Sequence, residues 1–152
     1  MRVRDVMSRN VVTVGPADSL RAAVARMSHA RVRHLPVVDA SARLIGIVTD
    51  RDLRHRLFTP EVFREVGQVS VETLLLSAIP VKDIMSAPVV VVGPDVPLAD
   101  AARTMLEDPV GSLPVVDNER VVGILTETDL LRRIVSADDR CWGPVDCIVS
   151  FP

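Results

Sequence analysis

Tyrosine is absent from this chain, and only three Phe and one Trp are present. The interior of a 152-residue protein must therefore be built from Val, Ile, Leu and Ala. At that length one compact domain buries about two thirds of its unfolded surface. Cysteine is equally scarce. Cys141 and Cys147 both stand near the C-terminal end and lack the tight Cys-x-x-Cys spacing of zinc or redox sites, so no disulfide framework is expected. No apolar run approaches the roughly 18 residues of a membrane span. Met1-Arg2-Val3-Arg4-Asp5 has no apolar stretch behind it, so no signal peptide is expected and a cytoplasmic location follows. The formal charge of −2 argues against general affinity for nucleic acid or an anionic membrane. His29, His34 and His55 show no metal-ligand spacing, and no nucleophile elbow or P-loop is present. The reading is of a protein that is not an enzyme, without obligatory cofactor or metal.

What is present is organised as a repeat. Val3-Arg4-Asp5-Val6-Met7-Ser8 recurs as Val81-Lys82-Asp83-Ile84-Met85-Ser86. Val11-Val12-Thr13-Val14-Gly15-Pro16 recurs as Val89-Val90-Val91-Val92-Gly93-Pro94, and Leu35-Pro36-Val37-Val38-Asp39 as Leu113-Pro114-Val115-Val116-Asp117. After a one-residue deletion, Gly46-Ile47-Val48-Thr49-Asp50-Arg51-Asp52-Leu53 matches Gly123-Ile124-Leu125-Thr126-Glu127-Thr128-Asp129-Leu130. The copies occupy residues 1–57 and 81–136, with a connector over 58–80 and a tail over 137–152. Residues 1–80 hold 12 Arg against 8 acids, and residues 81–152 hold 6 Lys or Arg against 12 acids, so the halves are electrostatically opposite.

Both copies read as strand–helix–strand–strand–helix. Val11–Val14 and Val89–Val92 are β-branched runs stopped by Gly-Pro, hence expected strands. Asp18 is the expected cap of a helix over about Ser19–Ala30, with Leu20, Ala23, Val24 and Met27 inward. Pro97 stands where a first helical residue would, ahead of Leu98, Ala101, Ala102 and Met105. Strands are expected near His34–Val38 and Leu44–Val48, and a helix from about Asp50. In the connector, Pro60 reads as a helix start and Val71–Ile79 as a second short helix. Each unit would cover one face of a small sheet with helices and bury the other against its twin. The fold class is therefore α/β (α+β), two motifs in a pseudo-two-fold pair with sheets together and helices outside.

With these motifs laid out, the chain resembles the cystathionine-β-synthase (CBS) domain pair, or Bateman module. The Asp-Val-Met-Ser opening, the Leu-Pro-Val-Val-Asp strand and the Gly-Ile-Val-Thr-Asp-Arg-Asp-Leu ending carry the resemblance, each in two copies. The second half and connector are similar to small stand-alone bacterial proteins of the acetoin-utilisation type. The resemblance implies binding of adenosine compounds (AMP, ADP, ATP or S-adenosylmethionine) in clefts between paired sheets, and a disc-like homodimer formed through helices. It also implies an apolar base pocket, which falls here on Asn10, Val11, Val12 and Thr13 with His34, Leu35 and Pro36. The second-copy equivalents are Val89 and Val90 with Ser112, Leu113 and Pro114. Any of these aliphatics could equally be plain core.

Thr49-x-x-Asp52 and Thr126-x-x-Asp129 stand at strand-to-helix junctions. Each fits a capping box, in which the Thr and the acid exchange hydrogen bonds with the first helical turn. Each equally fits a nucleotide site, with the Thr hydroxyl and helix start facing phosphate and the Asp accepting ribose hydroxyls. Arg51, Arg54, His55, Arg31, Arg33 and His34 cluster around the first pair in sequence. Glu127, Thr128, Glu107 and Asp108 cluster around the second. Because arginine binds phosphate bidentately, the first cleft is expected to take the phosphorylated end and the second to be empty or less charged in its ligand. The alternative to a nucleotide-sensing module is a dimerisation scaffold with non-functional clefts. The opposite charges suggest head-to-tail pairing of two copies, and Trp142 is an expected anchor for the tail.

Overall fold

The computed structural model describes residues 1–57 and 76–137. Pro60, most of the Val71–Ile79 segment, and Cys141, Trp142 and Cys147 lie outside the described residues. In the first copy α1 spans Leu20–Ala30, β1 His34–Val38, β2 Leu44–Thr49 and α2 Asp50–Leu57. In the second, α3 spans Leu98–Glu107, β3 Ser112–Asp117, β4 Arg120–Thr126 and α4 Glu127–Ala137. A 3-10 turn opens each copy, at Val3–Asp5 and Val81–Asp83. The result is two helix-flanked, two-stranded antiparallel sheets, the expected mixed α/β pair.

The helices follow apolar spacing. Leu20, Ala23 and Met27 are buried on α1, and Ala101 and Met105 on α3, each set one turn apart. Val24, expected inward, is exposed. The cap of α1 is Ser19 rather than Asp18: its Oγ accepts the Ala22 N–H at 3.2 Å. Asp18 instead closes the preceding turn by accepting the Gly15 N–H at 2.9 Å, and it pairs with Arg26. Those bonds hold its carboxyl below the ordinary carboxylate value, the Gly15 N–H contributing most. Pro97 occupies the cap position with ψ 137°, so Leu98 is the first helical residue.

In each sheet Thr faces the residue that opens the other strand: His34 pairs with Thr49 and Ser112 with Thr126. The expected strands at Val11–Val14 and Val89–Val92 shrink to one parallel bridge each, Val14 with Val37 and Val92 with Val115. Val14 donates to Pro36 O and accepts from Val38 N–H, but the next residues are Gly15 and Pro16, and proline has no N–H to extend the ladder. β3 and β4 are joined by Asn118 and Glu119, both left-handed (φ 49° and 65°), the geometry of a two-residue hairpin.

The two copies exchange their opening arms. Val3 and Met7 belong to the second-copy core with Leu113, Val115 and Leu125. Reciprocally, Val81 is buried in the first-copy core with Leu35, Val37 and Val48, with Ile84 and Met85 packed against it. Backbone ladders tie both arms down. Ser8 exchanges two hydrogen bonds with Ile124 (2.9 and 3.0 Å), and Ser86 exchanges two with Ile47 (2.8 and 3.1 Å). Glycine makes the approach possible: a Cβ on Gly46 would stand 2.5 Å from Met85 Sδ, and one on Gly123 2.4 Å from Met7 Sδ. Arg2 and Arg4 add exposed ion pairs to Asp95 in the second copy, which contribute little to stability. From the connector side, Leu76 and Ile79 pack on the first-copy core. Among the described residues no helix is long and apolar enough to cross a membrane.

Candidate functional site

The arm exchange decides which residues share a cleft. Thr126 and Asp129 of the second copy line a cleft of about 230 Å³ with Asn10, Val11 and Val12 from the first-copy arm, and with Arg31, Arg33 and His34 from the loop after α1. Thr49 and Asp52 of the first copy line a second cleft of about 430 Å³ with Ser86, Gly111 and Ser112 from the second copy. The larger falls within the roughly 300–1,000 Å³ of small-molecule sites. Each Thr–Asp pair thus faces the loop of the opposite copy.

This overturns the grouping read from sequence. Arg31 and Arg33 lie near Thr49 along the chain, yet Arg31 lines the Thr126 cleft and Arg33 lines both. Each cleft holds three arginines: Arg31, Arg33 and Arg132 in one, Arg33, Arg51 and Arg54 in the other. The Thr126 cleft is therefore not the arginine-poor one expected. Arg54 is bound to Asp50 at 2.9 Å. Arg31, Arg33, Arg51 and Arg132 make no ion pair with any described residue.

Both capping boxes are formed. Asp52 Oδ2 accepts from the Thr49 N–H at 2.8 Å and from its hydroxyl at 2.7 Å, while Thr49 Oγ1 accepts from the Asp52 N–H at 3.2 Å. Thr126 and Asp129 repeat this at 2.9, 2.7 and 3.3 Å. Both acid bonds land on Oδ2, so Oδ1 of each Asp is available for a further donor. The helix starts are less open to anions than bare ones. The first N–H of α2 goes to Arg33 O and that of α4 to Gly111 O, and the third goes to the Thr hydroxyl. An anion entering either cleft would therefore meet guanidinium groups more than free helix N–H groups.

The clefts meet at one point. Arg33, His34, Gly111 and Glu127 line both. A Cβ on Gly111 would stand 3.5 Å from His34 Nε2 and 3.6 Å from Glu127 Oε2, ordinary contact distances, so these two side chains flank the glycine. Burial holds the His34 imidazole below its ordinary value and Arg33 adds to the push, against the attraction of Asp50, Glu127 and Asp52.

The remaining expected residues lie elsewhere. Leu35, Pro36, Leu113 and Pro114 are fully buried core residues and line neither cleft, because their apolar side chains face inward. Thr13 accepts from Arg26 through its carbonyl. Val90 packs on the second-copy core, and Val89 lines a separate groove beside the hairpin ends with Arg43 and Ile45. Sequence reasoning missed Ser8, Ser86, Arg132 and Gly111. Arg132 carried a usable signal, since it stands three residues after Asp129 and hence on the same helix face. Among the described residues no group of three His, Cys, Asp or Glu could hold a metal ion.

The CBS-domain family profile matches residues 3–59 and 81–136. The chain belongs to the CBS-domain family. Three solved structures share the fold over most of their length. AcuB of Vibrio cholerae, assigned to acetoin utilization, is 29% identical with TM-score 0.72, covering 90% of this chain and 92% of that one. The CBS domain pair of protein MJ0100, solved with 5′-methylthioadenosine and S-adenosyl-L-methionine, is 25% identical with TM-score 0.75, covering 90% and 98%. CBSX2 of Arabidopsis thaliana, solved with AMP, is 32% identical with TM-score 0.71, covering 90% and 97%. The chain also matches only part of some longer proteins. MJ1404 of Methanocaldococcus jannaschii is 34% identical over 133 residues, 88% of this chain but 32% of its own length. The inosine-5′-monophosphate dehydrogenase of the same organism is 33% identical over 130 residues, 85% of this chain and 23% of its own length.

Proposed function

We propose that this CBS pair is a regulatory module that binds adenosine nucleotides (AMP, ADP or ATP) or S-adenosylmethionine in its two clefts and reports energy or metabolite state to a protein partner in the cytoplasm. The observation that carries this reading is the crossed cleft: a Thr–Asp pair from one copy faces arginines that have no carboxylate of their own. Unpaired guanidinium groups suit a phosphate, the open Asp Oδ1 suits ribose hydroxyls, and the backbone at Val11 and Val12 suits an adenine edge. Arg31 adds weight. It holds the left-handed position after α1 (φ 54°, ψ 42°), a place glycine commonly fills, and so keeps a cation at the cleft where a simpler residue would serve the backbone better. The similar structures with AMP and with S-adenosylmethionine support the ligand class.

A thermal-shift series with AMP, ADP, ATP and S-adenosylmethionine tests the reading. A ligand at 100 times its Kd stabilises by about 2.7 kcal/mol, a readily visible shift in Tm. Asp52→Ala should abolish binding at the Thr49 cleft and Asp129→Ala at the Thr126 cleft, as read by calorimetry. No shift with any compound would refute the reading and leave a scaffold. We propose in addition that a second copy covers α4, where Leu131, Ile134 and Val135 are all more than half exposed. The opposite charges of the halves favour first copy against second.

A further inference from the structure

We propose that the two clefts compete for a single cation, Arg33, so that a phosphorylated ligand in one weakens binding of a second in the other. This rests on the nucleotide reading above. Arg33 lines both clefts, is exposed, and forms no ion pair with a described residue. Its counterpart in the other copy is Gly111, so no second guanidinium stands in its place. Each cleft also has its own free arginines, Arg31 and Arg132 on one side and Arg51 on the other. Either cleft therefore binds when its neighbour is empty. When both fill, two phosphates share one guanidinium at a junction where His34 and Glu127 flank Gly111. Glu127 lines both clefts and adds a negative charge to the same junction. Phosphate repulsion and the loss of Arg33 act in the same direction.

Calorimetric titration with AMP, and with adenosine as the phosphate-free probe, tests this on the whole chain. Asp52→Ala and Asp129→Ala each leave one cleft and supply its intrinsic affinity. The second AMP should bind wild type about fivefold or more weaker than those affinities predict, the lower end of ordinary coupling between sites. Adenosine should show no such deficit. Arg33→Ala should weaken AMP in both clefts and abolish the deficit; Arg33 is exposed, so this variant keeps the fold. If wild type takes one AMP while each single-cleft variant still takes one, exclusion is complete and the proposal stands in its strongest form. Two AMP bound at their intrinsic affinities would overturn it and spare the nucleotide reading. So would an Arg33→Ala variant weakened in one cleft only, or a single-cleft variant that binds nothing. No binding of AMP or adenosine by wild type would overturn both.

Discussion

Gly123→Ala places the arm exchange under direct test. The added Cβ would stand 2.4 Å from Met7 Sδ, 3.0 Å from Met7 Cγ and 3.2 Å from the Ser8 carbonyl oxygen. Met7 is buried, so its side chain has little space to retreat, and Ser8 is held by its two hydrogen bonds to Ile124. Overpacking of this kind costs about 1–3 kcal/mol. Met7→Ala alone should cost about 2–4 kcal/mol through the cavity it leaves. In that background the sulfur and Cγ contacts vanish and only the 3.2 Å carbonyl contact remains, so the alanine is close to neutral. Replacing glycine also restricts the unfolded chain, worth roughly 0.4–1 kcal/mol in its favour. The double-mutant cycle should then show about 1–2 kcal/mol of coupling between Met7 and Gly123, far apart in the chain but in contact in space. Urea unfolding followed by circular dichroism measures all four stabilities. Additivity within about 0.5 kcal/mol would refute the contact, and with it the packing of the first arm on the second copy. The same clash pushes on Ser8 and thereby on Asn10–Val12, so Gly123→Ala should weaken AMP at the Thr126 cleft and spare the Thr49 cleft, and Gly46→Ala should do the reverse.

Other expectations are simpler. His34 is held below its ordinary value of 6.5 by burial first and Arg33 second, against Asp50, Glu127 and Asp52. As pH falls below about 6.5 the unfolded chain takes up a proton that the folded one refuses, so stability falls with pH until the folded group titrates as well. His34→Gln should flatten that segment of a stability–pH curve, and an unchanged slope would show that another group sets it. Glu119→Gly should raise the unfolding free energy measured in urea by about 0.5 kcal/mol, since glycine relieves a left-handed residue at φ 65° that costs other side chains roughly 1 kcal/mol or more. Ile134→Lys should shift the chain from dimer to monomer in light scattering without loss of helix content, and a dimer that survives it would place the interface elsewhere than α4.

The elements were largely legible in the sequence because local chemistry dictates them. The apolar spacing of Leu20, Ala23 and Met27 gives a helix, and Leu35–Val38 gives a strand in either environment. Neighbouring capping residues were harder to separate: Ser19 and Asp18 both suit a cap, and only the reach of Asp18 back to Gly15 decides between them. The β-branched run Val11–Val14 has strand propensity throughout, but pairing is granted by a partner, and only Val14 has one. The arm exchange left no trace a single copy could show. Both copies carry the same Gly-Ile dipeptide for a Met-Ser arm to grip, so either arm fits either sheet by composition. Which arm docks where is a matter of chain geometry. Because the exchange sets the cleft partners, Arg31, near Thr49 in sequence, belongs to the Thr126 cleft and Arg33 to both, while Arg51 and Arg54 stay beside Thr49 as their sequence positions suggest.

The exchange also bears on how such a duplication came to exist. A single ancestral unit carrying the Asp-Val-Met-Ser arm has a sheet that needs an arm and an arm that needs a sheet, but on this geometry not its own. Two such chains could complete each other only by trading arms, as in a swapped dimer. Fusion through residues 58–80 turns that trade from a concentration-dependent encounter into an intramolecular closure. Once fused, neither half can be discarded or exchanged for an unrelated domain without stripping the other of its arm. Loss of either half is therefore loss of both, while a cleft position such as Arg33 against Gly111 differs between the copies without touching the Met-Ser and Gly-Ile clasp.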